Sequence, residues 1–420
     1  VMAKDGYPEA IRHLYGLTRF GIKPGLRNTL RLAEIAGNPQ RRLRFIHVAG
    51  TNGKGSTCAM LESICRQAGH RVGLYTSPHL VSFRERIQVD RTLIPEADVV
   101  RLVAEFRALC RRPSADLEPT FFEFVTVMAL KYFAERECDL VVLETGMGGR
   151  FDSTNIVEPL VSVITPVSLD HQAWLGNTIA EIATEKAGII KPGVPVVVAR
   201  QEAEALAVLR DAATAGGCPF MLAGTEPAPR TESARVPESC RQNAALAAKV
   251  AASLPEEFAI TASAVTAGLA DVSWPGRFQR IRRDERTVIL DGAHNAAGFR
   301  ALGEGLNAVG IDRPTLILGL LGDKDTSAIV DLIPASFSRV LLVPIASSRA
   351  GDQAALAAAI TAQNMSVTEC RSLAEALEGS RPDAEVVVAG SFYLIGEALE
   401  WFGEVPEGVR SERELNEFGR

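Results

Sequence analysis

The sequence predicts an α/β protein with mainly parallel sheets covered by helices. Three observations predict it: short apolar β-branched runs recur, helical patterns separate them, and a second series of the same kind starts after residue 286. The first series holds Phe45-Ile46-His47-Val48, Val72-Gly73-Leu74-Tyr75, Leu140-Val141-Val142-Leu143, Val161-Ser162-Val163-Ile164 and Val196-Val197-Val198. Runs this short and this apolar suit strands buried on both faces. Helical patterns at 56–68, 96–111, 122–136 and 178–190 lie between them. In the second series, strands are expected near 287–291, 315–320, 340–343 and 386–389, with helices near 296–308, 326–334, 353–363 and 392–402. Ser273-Trp274-Pro275-Gly276-Arg277 contains two helix breakers, so domains of 1–275 and 276–420 are expected. The segment 223–240, rich in Pro, Glu and Arg, reads as a surface excursion.

A length of 420 residues exceeds one ordinary compact domain, and 47% hydrophobic with 23% charged residues is enough to build full cores. Forty-five basic against 51 acidic side chains leave a formal charge of −6, which gives no reason to expect nucleic acid as a partner. No Lys/Arg run suggests a membrane surface, and no window approaches 18 uninterrupted apolar residues. The seven cysteines are scattered, without a Cys-x-x-Cys pair, and the first 30 residues lack the apolar core of a signal peptide. A monomeric cytoplasmic protein with reduced thiols is the expectation.

The most informative local feature is Gly50-Thr51-Asn52-Gly53-Lys54-Gly55-Ser56-Thr57, set between a strand and a helix. A glycine-rich turn lets backbone N–H groups approach phosphate oxygens, the helix N-terminus adds partial positive charge, and Lys54 adds a full one. The strict P-loop pattern is not met: Val48 stands at its first glycine, and Gly55 rather than Ser or Thr follows Lys54. The strand–turn–helix context still points to a nucleotide.

That octet resembles the P-loop variant of the folylpolyglutamate synthase/dihydrofolate synthase branch of the Mur ligase superfamily. Further blocks resemble the same branch in the same order. They are Tyr75-Thr76-Ser77-Pro78-His79-Leu80, Thr120-Phe121-Phe122-Glu123-Phe124, Glu144 to Asn155, Ser168-Leu169-Asp170-His171, Glu185 to Lys191, Pro275-Gly276-Arg277-Phe278, Leu290 to Asn295 and Gly390-Ser391-Phe392-Tyr393-Leu394. The resemblance implies a P-loop-containing domain of the Mur ligase central type and a smaller Rossmann-like C-terminal domain. It implies ATP-dependent joining of L-glutamate to dihydropteroate, to folates, or to both, through an acyl phosphate. The bifunctional form is favoured because Thr-Phe-Phe-Glu-Phe fits those members closely.

Amide synthesis in water needs an activated carboxylate, so the site must hold a triphosphate, neutralise it, and place two acids side by side. Thr51, Asn52, Gly53, Lys54, Gly55 and Ser56 are the expected phosphate cradle. Glu144, at the end of its strand, is a natural oxygen ligand for Mg²⁺ beside a P-loop. By resemblance Ser77 shares that ion, and His171 serves a second Mg²⁺. Resemblance also implies a carbamylated Lys186, nucleotide contacts from Asn243, Arg277 and Asp291, and a catalytic His294 facing glutamate or the transferred phosphate. Thr120, Phe121, Phe122 and Glu123, with Phe151 and Asp152, are the expected pterin contacts; the two phenylalanines read equally well as core. Lys23 to Arg27 are expected to border that pocket.

Two other readings stand beside this one. A cell-wall ligase of the Mur type usually carries threonine directly after the P-loop lysine and an additional N-terminal domain for its UDP-sugar. A P-loop protein using ATP as a switch would turn over ATP without a glutamylated product.

Overall fold

The alternating runs form two sheets in the computed structural model, which describes residues 6–21, 25–112, 117–224, 237–283, 286–347, 349–381, 385–405, 409, 411 and 412. The first sheet contains β1 (Phe45–Ala49), β2 (Val72–Tyr75), β3 (Ile87–Val89), β4 (Thr92–Leu93), β5 (Leu140–Glu144), β6 (Val161–Ile164), β7 (Val196–Val198) and β8 (Phe220–Leu222). Its order is β4-β3-β2-β5-β1-β6-β7-β8, parallel from β2 to β8 and antiparallel at the β2–β3–β4 edge. The β3–β4 hairpin turns through Asp90 and Arg91, with φ of 50° and 64°, the paired positive values that suit the twist of a tight hairpin.

Strands β1 and β5 are buried along their full length, which explains why they read as continuous apolar runs rather than alternating ones. Helices Lys54–Gln67, Glu238–Ala251 and Ala262–Ala270 cover one face through Leu61, Leu246 and Leu269. Helices Gly6–Gly16, Glu96–Cys110 and Phe121–Glu135 cover the other through Leu14, Phe106, Phe124 and Phe133. Each such side chain, fully buried, contributes about 1.5–3 kcal/mol.

The second sheet contains β9 (Gln279–Arg283), β10 (Arg286–Leu290), β11 (Thr315–Leu318), β12 (Arg339–Leu342), β13 (Ser366–Glu369) and β14 (Glu385–Ala389). Its order is β13-β12-β11-β14-β10-β9, parallel except for the β9–β10 edge. Helices pack on both faces, with Phe299, Leu302 and Phe337 on one and Leu377, Leu394 and Leu399 on the other.

The expected central strands and most expected helices are present. The strands β3, β4, β8, β9 and β13, at or next to a sheet edge, are additions, because a strand there needs only a partial apolar pattern; β9, Gln279-Arg280-Ile281-Arg282-Arg283, buries Ile281 alone. The helix after the glycine-rich turn begins at Lys54, two residues before the expected 56, because Gly53 (φ 85°) completes the turn. Of the expected surface excursion, 225–236 lies outside the described residues.

Beyond the second sheet the chain returns to the first domain. The buried Glu412 carboxylate accepts hydrogen bonds from the Tyr7 hydroxyl, the Ser82 hydroxyl (3.2 Å) and the Phe83 N–H (2.5 Å). Among the described residues no helix is long and apolar enough to cross a membrane.

Candidate active site

Parallel strands present the residues that follow them at one edge of the sheet. Here the segments after β1 and β6 and the end of β5 bring Lys54, His171 and Glu144 into one narrow crevice of about 90 Å³. Its walls also include Ser77, Lys186, Arg277 and His294.

The turn after β1 has little room to vary. Gly50 has φ 149°, and a Cβ there would lie 1.8 Å from Thr165 Oγ1; Gly53 has φ 85°, and a Cβ there would lie 2.6 Å from Asn243 Oδ1. Thr51 Oγ1 donates to the Ser168 carbonyl (3.0 Å) and accepts from the Ser168 N–H (3.1 Å), tying the turn to the segment after β6. Lys54 Nζ folds back to the Thr51 carbonyl at 3.1 Å. Ser56, one turn into the helix, is not a wall of the crevice.

Glu144 is 3% exposed, and one of its oxygens accepts the Ser77 N–H at 3.0 Å. Burial raises its pKa, against the charges of Lys54, Arg277 and Arg86 and the Ser77 hydrogen bond. A buried carboxylate under that penalty gains from a nearby cation. Glu144 and Ser77 offer hard oxygens to one Mg²⁺ and His171 one imidazole to a second, donors that fit this ion when substrate and water oxygens complete each shell. Among the described residues no three His, Cys, Asp or Glu side chains are grouped to hold an ion by themselves. His171, at φ 51°, begins the short helix Gln172–Leu175. Desolvation and the charges of Lys324 and Lys54 lower its pKa to about 4 against the pull of Asp170, so its ring is neutral near pH 7.

Lys186 is 3% exposed, and its Nζ donates to the Gly50 carbonyl at 2.7 Å. Desolvation and the charge of Lys54 lower its pKa to about 7. A substantial share of this amine is therefore unprotonated near neutrality.

The second domain reaches the crevice through Asp291 to Asn295. His294 Nδ1 lies 2.8 Å from the Gly292 carbonyl, and its Nε2 3.5 Å from Asp170 Oδ2. A carbonyl only accepts, so Nδ1 carries the proton. Asp170 also takes Lys324 Nζ at 3.1 Å and Asn295 Nδ2 at 3.2 Å. Burial opposes ionisation of Asp170, but its contacts with His294, His171 and Lys324 hold its pKa well below the usual carboxylate range. Arg277 lies over the Phe392 ring, 4.6 Å from its centre. Asp291 accepts the N–H groups of Phe278 and Ala293, both at 2.9 Å. Asp291 and Asn243 stand behind the crevice rather than in its wall.

A larger cavity of about 750 Å³ adjoins the crevice and shares Ser77, Gly146, His171 and His294 with it. Thr120, Phe121, Phe122, Glu123, Phe151 and Asp152 all line it. Phe121 stacks on Tyr15, 5.7 Å between centres at 11°, and Phe122 abuts Gly146, where a Cβ would lie 2.5 Å from the ring. The two rings are thus both packed and accessible. Phe151 is 52% exposed. Thr120 and Glu123 cap the helix Phe121–Glu135 reciprocally, and Asp152 accepts the N–H groups of Gly146, Met147 and Thr154, so these three side chains also shape the local backbone. Of the stretch expected to border the cavity, Lys23 and Pro24 lie outside the described residues, and Gly25 to Arg27 are not among its walls.

Sequence reasoning passed over Asp170, Asn295, Lys324, Arg86 and Phe392 as site residues. Asp170 and Asn295 each stand beside a histidine, in Ser168-Leu169-Asp170-His171 and in Leu290 to Asn295, which is a signal the sequence carries. Lys324 and Arg86 carry no local signal; only folding puts them in the cavity wall.

Residues 48–239 match the Mur ligase middle domain and residues 276–392 the Mur ligase glutamate ligase domain. The chain is 36% identical to the folylpolyglutamate synthase of Lacticaseibacillus casei over 415 residues, 92% of this chain and 96% of that protein. It is 40% identical to the dihydrofolate synthase/folylpolyglutamate synthase of Bacillus subtilis over 348 residues, 76% of this chain and 80% of that protein. Folylpolyglutamate synthase of Mycobacterium tuberculosis, solved with ADP and AMPPCP, superimposes with a TM-score of 0.86 at 32% identity, covering 96% of this chain and all of that one. The chain belongs to the folylpolyglutamate synthase family of the Mur ligase superfamily.

Proposed function

We propose that this ATP-dependent, amide-forming ligase works through an acyl phosphate and accepts dihydropteroate as well as folates, with L-glutamate as the donor amine. The observation that carries this reading is the continuity between crevice and cavity. A planar acceptor lying against Phe121 and Phe122 can extend its carboxylate past Ser77 and Gly146 to a phosphate held at Lys54. The Bacillus relative bears both activities in its name, which supports the bifunctional form.

An acceptor carboxylate oxygen attacks the γ-phosphorus and ADP departs. The amine of glutamate then attacks the acyl carbon, and inorganic phosphate leaves. Lys54, the N–H groups of the turn from Thr51 to Gly55, and Arg277 bind the polyphosphate. Asn243, packed behind Gly53, and Asp291, behind Arg277, support the nucleotide side. Mg²⁺ held by Ser77 and Glu144, with a second ion at His171, would supply charge neutralisation when bound. His294 Nε2 receives the proton of the attacking amine, and Asp170 stabilises the imidazolium formed. Lys186, as a free amine, adds to CO₂ with loss of one proton, giving a carbamate whose negative charge faces Lys54. Thr120 to Glu123, Phe151 and Asp152 form the acceptor's surroundings. The domains are taken as 1–275 and 276–420, acting as a monomer in the cytoplasm.

Purified protein given ATP, glutamate and either dihydropteroate or tetrahydrofolate tests this directly. The expected result is a glutamylated product with stoichiometric ADP from each acceptor. ATP turnover without such a product would defeat the proposal.

A further inference from the structure

Arg86 closes the short helical turn Phe83–Arg86 and is 8% exposed. Its charge is felt by Glu85 and Glu144, yet among the described residues it forms no ion pair with either or with any other carboxylate. Nε donates to His79 Nδ1 at 2.9 Å, and the guanidinium carbon lies 5.3 Å from the centre of the Phe121 ring. Because Nδ1 accepts that bond, the ring proton sits on Nε2, 3.0 Å from the Tyr15 hydroxyl. The line Tyr15–His79–Arg86 therefore fixes how the guanidinium is turned. Its terminal nitrogens, without an acceptor among the described residues, are left to the 750 Å³ cavity that Arg86 lines.

A desolvated guanidinium held rigid and unpaired is costly unless an anion completes it, and its planar fork matches a carboxylate. The carboxylate that reacts has to enter the crevice of Lys54, and Arg86 is not a wall of that crevice. A folate acceptor ends in glutamate, which carries one carboxylate that reacts and one that does not. Resting on the folate reading above, we propose that Arg86 binds the non-reacting carboxylate of the acceptor's terminal glutamate. It thereby selects glutamyl-bearing acceptors; dihydropteroate has no group to offer it.

The test compares a monoglutamyl folate with its analogue in which the non-reacting carboxylate is a carboxamide, on the wild-type enzyme and on Arg86→Gln and Arg86→Lys. In the wild type, KM for the acceptor is expected to rise at least about tenfold on going to the carboxamide. Arg86→Gln is expected to raise KM for the natural acceptor by a similar factor, with little further loss on the carboxamide and no change in KM for ATP. Arg86→Lys recovers part of the loss. Equal wild-type use of the two acceptors overturns the proposal, and that comparison does not depend on any variant folding. So does an Arg86→Gln penalty of the same size on both. A wild-type enzyme that glutamylates neither folate nor dihydropteroate would instead overturn the acceptor reading itself.

Discussion

Asn52 of the phosphate-binding turn and Asn295 of the second domain exchange two side-chain hydrogen bonds, each 3.2 Å long. Asn295 also caps the helix Ala296–Ala308 by accepting the Gly298 N–H at 2.8 Å, and donates to Asp170. One amide thus joins the nucleotide turn, the segment after β6 and the second domain. Asn295→Asp keeps the cap but puts a carboxylate beside Asp170 and removes the donor. It is expected to lower kcat/KM about tenfold or more while the Tm stays within a few degrees. Steady-state kinetics and thermal melts separate the two effects.

Lys54 is expected to be indispensable. Lys54→Ala removes the only full positive charge within the turn and should reduce kcat by about 10²–10³-fold or more, given the size of such electrostatic losses. Measured ADP release checks it, and unaltered thermal stability would show that the loss is chemical.

Gly146 leaves room for Phe122, since a Cβ there would meet the ring at 2.5 Å. Gly146→Ala should push Phe122 into the cavity and raise KM for the pterin-bearing acceptor by about five- to 150-fold, the equivalent of the roughly 1–3 kcal/mol that overpacking costs. A KM for ATP that rose equally would contradict the assignment of that cavity to the acceptor.

Lys186 makes stability depend on pH. Its pKa falls from 10.5 in the unfolded chain to about 7 in the fold, so between those values the unfolded state binds more protons. The burial penalty is complete below about pH 7 and is relieved as pH rises towards 10.5. In CO₂-free buffer, denaturant unfolding of the wild type at pH 7 and pH 9.5 should show a rise in stability that Lys186→Met lacks. Adding bicarbonate near pH 8 should restore activity to CO₂-depleted wild-type enzyme and leave Lys186→Met unaffected.

Helices Lys54–Gln67 and Ala262–Ala270 cross at Gly268, where a Cβ would lie 2.5 Å from Ile64 Cα. Backbone cannot yield as a side-chain end can. Gly268→Ala is expected to destabilise by about 1–3 kcal/mol, read from the midpoint of chemical denaturation.

The buried centre of each sheet was legible because a strand covered on both faces has to be apolar throughout, as Val161 to Ile164 nearly are. The glycine-rich turn was legible for a related reason: Gly50 and Gly53 occupy conformations that leave no space for a side chain. Such local demands write themselves into a short stretch of sequence. Edge strands such as β9 impose weaker demands, and their pattern is correspondingly faint.

Contacts between distant segments leave no local trace. Nothing near Arg86 announces that Phe121 will lie beneath its guanidinium, nor near Lys324 that it will hold Asp170. The sequence by itself determined which elements form, where phosphate can be cradled, and the family to which the motifs belong. Tertiary structure alone decided which side chains share a cavity, which charges are paired, and how far burial moves Lys186, and neighbouring groups Asp170, from their ordinary titration. The physical reason is that electrostatic energy depends on distance and desolvation in space, and neither is a function of separation along the chain.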